Sequence, residues 1–75
     1  MRKIHEIASE IENSWKNVNY AARPYLSAMH EVSGLSDKYF YDDARSVVLY
    51  FLANAATWRG DDAKRIKAEL KAMLK

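Results

Sequence analysis

Residues 46–58 read SVVLYFLANAATW, a stretch without one charged side chain. The rest of the chain is amphipathic at most, so the other segments must pack around this one. It is too short to cross a bilayer, which takes about 20 apolar residues, and Asn54 and Thr57 dilute it further. An apolar run of about 10–14 residues suits a buried helix. At about 100° per residue, Phe40, Ala44, Val47, Val48, Phe51, Ala55 and Trp58 share one broad face, flanked by Leu52 and Tyr41. The far side carries Leu49, Tyr50, Ala53 and Ala56 beside Asp42, Ser46 and Thr57. A helix that is apolar nearly all round is surrounded, by its own chain or by a partner.

Working outward, the spacing predicts a helix over about 42–58, with Asp42 as its N-cap and Asp43 in the first turn, where the helix dipole favours a carboxylate. Gly60 suits the left-handed residue that ends it. Asp61 or Asp62 then opens a last helix over about 61–74, whose inward stripe is Ala63, Ile66, Leu70, Met73 and Leu74. So short a turn makes the two helices an angled or antiparallel pair. Upstream, residues 35–41 are ambiguous: Ser36 or Asp37 could cap a helix, and Tyr39-Phe40-Tyr41 suits an ordered turn. Before them a helix runs from Pro24 to Val32, with Tyr25 or Leu26, Met29 and Val32 inward and Ser33-Gly34 as its stop. Ile4, Ile7, Ala8, Ile11, Trp15 and Val18 define a first helix over 2–17, with Glu12 and Lys16 paired on its wet face. Nothing reads as a strand. The expectation is an all-α domain of four helices, the apolar third one central.

The 75 residues make one domain with a thin stability margin. The chain has no cysteine, which excludes disulfides, thiolate metal sites and cysteine nucleophiles. Glu6, Glu10 and Glu12 follow Arg2 and Lys3 at once, so no signal-peptide core forms, and the reading is a cytoplasmic protein with an intact amino terminus. The net charge of +2 hides an asymmetry. Residues 1–58 carry six basic and seven acidic side chains, whereas residues 59–75 carry six and three. The basic character therefore belongs to the last segment.

Several runs also carry a resemblance. They are Ile4-His5-Glu6-Ile7-Ala8 with Trp15-Lys16, Pro24-Tyr25-Leu26 with Ala28-Met29, and Tyr41-Asp42. Above all, Tyr50-Phe51-Leu52-Ala53-Asn54-Ala55 leads into Thr57-Trp58-Arg59-Gly60, then Ala63 and Arg65-Ile66-Lys67-Ala68-Glu69-Leu70. Together they resemble small uncharacterised proteins encoded by phages and prophages of Gram-positive bacteria. That resemblance implies an accessory protein acting on a host or phage partner, and it brings no catalytic or binding residue with it.

The residues that could carry chemistry have plainer explanations. His5 and His30 lie on different helices without a second ligand at helical spacing, so no metal is expected. No serine stands in a Gly-x-Ser-x-Gly elbow, and Asp42-Asp43 and Asp61-Asp62 sit where helices begin. Neither an enzyme, a small-molecule substrate nor a cofactor is expected. Two binding readings remain. The first is a protein partner or a homodimer held through Leu49, Tyr50, Ala53 and Ala56, since small alanines admit a second helix and tyrosine is enriched at interfaces. The alternative is nucleic acid, held by Lys64, Lys67, Lys71 and Lys75 in line on the last helix, with Arg59 and Arg65 as base-reading candidates.

Overall fold

A computed structural model describes residues 2–39 and 42–75, and only the backbone of Tyr39 and Asp42. Among these residues four helices form the domain: α1 (Ile4–Ser14), α2 (Arg23–Met29), α3 (Ala44–Ala53) and α4 (Asp61–Leu74). The architecture is all-α, as the hydrophobic spacing predicts. Helix α2 packs against α3 and α1 against α4, while α1 also meets α2 and α3 meets α4. Arg45 Nη1 donates to the Leu74 carbonyl at 2.8 Å, tying the start of α3 to the end of α4. The two therefore run antiparallel.

Every helix turns its predicted stripe inward. Ile4, Ile7, Ala8 and Ile11 of α1, Met29 of α2, Val48 and Phe51 of α3, and Ile66 and Leu70 of α4 are sealed from water. At the middle lie three aromatic rings. Trp15 and Trp58 stack at 5.5 Å between centroids with 10° between planes. Phe51 meets both edge-on, at 6.2 Å and 6.5 Å. Edge-to-face pairs of this kind contribute about 0.5–1.5 kcal/mol each beyond the area they bury.

Helix α4 has the ends expected of it, Asp61 and Leu74, whereas the ends of the other helices differ from the sequence expectation. Helix α3 covers residues 44–53 rather than 42–58. Its cap is Asp43, whose Oδ1 accepts from the Ser46 N–H at 2.8 Å, not Asp42. At the other end Asn54 Nδ2 donates to the Tyr50 carbonyl at 2.9 Å, and the Asn54 carbonyl accepts from Asn19 Nδ2 at 3.0 Å. An asparagine that competes for the last helical carbonyls ends the helix there. Ala55 and Trp58 stay buried beyond it, in turns rather than helix. Phe40 and Tyr41, expected on and beside the buried face, lie outside the described residues.

Helix α1 starts at Ile4 and stops at Ser14, where Trp15 turns extended (φ −95°, ψ 93°) and its ring goes to Trp58. Lys16 is therefore off the helix, and the expected Glu12–Lys16 pair does not form. Helix α2 ends at Met29, where the Glu31 and Val32 N–H groups turn to the i−3 carbonyls of Ala28 and Met29 at 3.0 and 3.4 Å; the carbonyls of Val32 and Ser33 accept from the His5 and Ile4 N–H groups at 3.1 and 2.9 Å. Those are donors that the first turn of any helix leaves unpaired. Gly34 does not adopt a positive φ, so it is not the left-handed stop expected of it. The Ser33 and Gly34 N–H groups instead donate to Asp37 Oδ2, at 2.8 and 3.1 Å.

Two further corrections concern short features. Residues Lys38–Tyr39 (β1) and Asp42–Asp43 (β2) pair antiparallel, Lys38 opposite Asp43 and Tyr39 opposite Asp42, where no strand was expected. Alternation over two residues is too short to read. Gly60 has a positive φ of 113°, but with ψ at 178° it serves as the N-cap of α4 and not as the end of α3. Among the described residues no helix is long and apolar enough to cross a membrane.

Candidate functional site

The far side of α3 is what the packing leaves open. Leu49 is 47% and Tyr50 51% exposed, and Ala53 and Ala56 are exposed beside them. Helices α2 and α4 pack against α3, and among the described residues Leu49 and Tyr50 are its large side chains left uncovered. Tyr50 does not stand free, because its ring lies 5.4 Å from that of Tyr25 on α2, tilted by 38°. Tyr25 is half-buried, so the pair forms a two-ring ridge along the α2–α3 seam. Tyr20, at the entry to α2, is 87% exposed. Leu49, Tyr50 and Ala53 are exposed on α3, whereas Ala56, expected on the same helix, is exposed in the turn beyond its end.

The six basic residues named for nucleic acid do not share one role. Lys67 folds back, its Nζ donating to the Trp58 carbonyl at 2.7 Å and lying 5.9 Å from the centre of that indole. Burial, and then the nearby Lys71 and Arg59, push its pKa below the usual lysine value. Arg65 Nη2 donates to Glu10 Oε2 at 2.5 Å and approaches Asp62. Lys64, Lys71 and Lys75 on α4 and Arg59 before it are exposed. The expected lysine line is therefore broken at its second member, because Lys67 finds an oxygen and an aromatic face within reach.

A charge cluster that no short-range pattern announces joins α1 to α4. Arg2 reaches Glu69 through Nε and Nη2, at 3.0 and 2.5 Å, and Glu10 through Nη1 at 2.6 Å. Glu10 is shared with Arg65. The arginines hold the Glu10 and Glu69 carboxyls below the usual carboxylate range, Arg65 contributing most at Glu10 and Arg2 at Glu69. Water reaches about a third of the Arg2 and Glu10 side chains, so the cluster orients the two helices more than it stabilises them. Partners lying 67 and 55 residues apart cannot be paired from sequence spacing.

Asp37 and Asp43 are also held low, by N–H groups of Ser33 and Gly34 and of Ser46 respectively. A carboxyl whose pKa is lower in the folded state stabilises above its unfolded pKa, near 4, and loses that contribution as pH falls through the folded value. The melting temperature is expected to stay level from about pH 8 to 5 and to drop below about pH 4. Thermal scans of Asp37→Asn and Glu10→Gln should show a lower plateau and a shallower acid drop than the parent. An unchanged acid drop in both would assign it to other groups.

Elsewhere the chemistry is sparse. His30 Nε2 lies 2.9 Å from Glu12 Oε2 without making a hydrogen bond, and it is the end of α1 that brings them together. Among the described residues no three His, Asp or Glu side chains converge as a metal site would require. Among the described residues, fold and surface define a small helical domain with an exposed apolar strip on α3. Comparison with protein-family models, curated proteins and solved structures finds no match.

Proposed function

We propose that the chain is a small, non-enzymatic interaction protein of the cytoplasm that works through Leu49, Tyr50, Ala53 and Ala56. It either self-associates or binds a protein of a host or phage, the setting that its resemblance to phage and prophage proteins suggests. One observation carries this reading: the most apolar helix of the domain leaves a leucine and a tyrosine about half exposed, side by side, with alanines next to them. Single exposed hydrophobics are ordinary, whereas contiguous ones with an aromatic at the centre suit a contact site. The alternative, nucleic acid held along α4, has less support, because Lys67 and Arg65 already hold protein oxygens.

Gel filtration with light scattering tests the proposal in low and high salt, with and without nucleic acid. The parent is expected to associate with itself, or with a protein partner, in a manner insensitive to salt. Tyr50→Glu should remain folded and lose that association, with at least a tenfold weaker complex for one buried aromatic worth about 2 kcal/mol. Association that survives Tyr50→Glu, or that appears only with nucleic acid and is lost in Lys64→Gln/Lys71→Gln, would overturn it.

A further inference from the structure

The arginines separate into two groups. Arg2 and Arg65 hold carboxylates and Arg45 holds the Leu74 carbonyl, whereas Arg23 and Arg59 have no polar side-chain partner among the described residues. Those two line neighbouring grooves at one end of the domain. The first groove, of about 390 Å³, exposes more polar than apolar surface, from Glu12, Lys16, Arg23 and Ser27, with Val18 as its half-buried apolar residue over Trp15 and Leu26. The second, of about 500 Å³, lies between residues 14–17 and 57–59, with Lys16 and Arg59 among its lining residues. Trp15 and Lys16 belong to both, so this pair is the ridge between them. Lys16 is likewise without an ion pair among the described residues. Against these three cations the walls hold one carboxylate, Glu12, which lies beside His30. No residue of the α3 strip lines either groove.

We propose that this end of the domain is a second interaction surface, one that takes an acidic peptide segment. The peptide's carboxylates meet Lys16, Arg23 and Arg59, and its backbone and side chains lie along the two grooves. Charge complementarity selects the sign of the partner, since cations without a partner within the fold can take a carboxylate without breaking an existing pair. Wall chemistry selects a peptide over nucleic acid. Single strands are held by stacking bases on open aromatic faces. Here the indoles face each other and are only 6% and 3% exposed, so they offer an edge to lie against and no face to stack on.

Both tryptophans of the chain line these grooves, so intrinsic fluorescence reports on them directly. The test titrates the full chain into a fluorescein-labelled dodecapeptide of repeated Glu-Leu-Glu, following anisotropy and tryptophan emission. Controls are the Lys-Leu-Lys counterpart and a thymidylate dodecamer. Saturable binding of the acidic peptide is expected at about 50 mM salt, weakening as salt screens the pairs. Arg23→Glu/Arg59→Glu should bind at least about tenfold more weakly, while Lys64→Glu/Lys71→Glu, which removes exposed charge from α4, should bind like the parent. Circular dichroism confirms that both variants fold. Tyr50→Glu should also bind like the parent, which separates this surface from the α3 strip. Any of three results overturns the proposal: no binding up to about 1 mM, equal losses in the two double variants, or thymidylate binding as tightly as the acidic peptide.

Discussion

Phe51→Ala is expected to leave no cooperative folded baseline in urea. Phe51 is fully buried and touches both tryptophans edge-on, so its removal opens a cavity at the point where α1, α3 and the segment leading to α4 meet. Aromatic-to-alanine changes in cores cost about 3–5 kcal/mol. A single core in a chain below about 70–80 residues rarely supplies more than about 3–5 kcal/mol in total. No disulfide offsets the loss. The stacked tryptophans should report it as a red-shifted emission already present without denaturant. A variant with the parent's urea midpoint would mean that the three rings are not the centre of the core.

Gly60→Val carries the second large effect. At φ 113° and ψ 178° Gly60 occupies a backbone region essentially reserved for glycine. A Cβ there would meet nothing within 4 Å, so the cost is one of dihedral strain and not of space. Strain of this kind amounts to about 1–3 kcal/mol, and β-branching adds to it. Ala68→Val, on the exposed side of α4, costs only the helix-propensity difference of about half a kcal/mol. Urea midpoints of the two variants give the comparison. Chemical synthesis adds a sharper arm: D-alanine at position 60 accepts a positive φ and should be tolerated where L-valine is not. Equal midpoints for Gly60→Val and Ala68→Val would place Gly60 in ordinary backbone.

Periodicity made the helices and their buried stripes legible, because Ile4, Ile7 and Ile11, or Ala63, Ile66 and Leu70, repeat at the spacing of one helical face. The half-exposed state of Tyr50 was legible on the same ground, from its angle to Phe51. Apart from α4, found at Asp61–Leu74 as expected, the helix ends were not. Two asparagines 35 residues apart decide where α3 stops, and the carbonyls that receive the first N–H groups of α1 come from Val32 and Ser33. Both depend on tertiary contact, which local propensity does not contain. Lys67 illustrates the same limit at the candidate site. Its place in a lysine line is plain in the sequence, while the carbonyl and indole that draw it away belong to Trp58, nine residues earlier on a different element.

The account rests on α3 having one face that holds the domain together and another that does not. Tyr50 and Phe51 are adjacent in the chain, at 51% and 0% exposure. Urea unfolding of Tyr50→Glu and Phe51→Glu, followed by tryptophan fluorescence, sets the two faces against each other directly. Tyr50→Glu is expected to unfold cooperatively with a midpoint near that of the parent, and Phe51→Glu to show no folded state. If Tyr50→Glu is unfolded as well, the strip is core, and the surface on which the proposed function depends is not there.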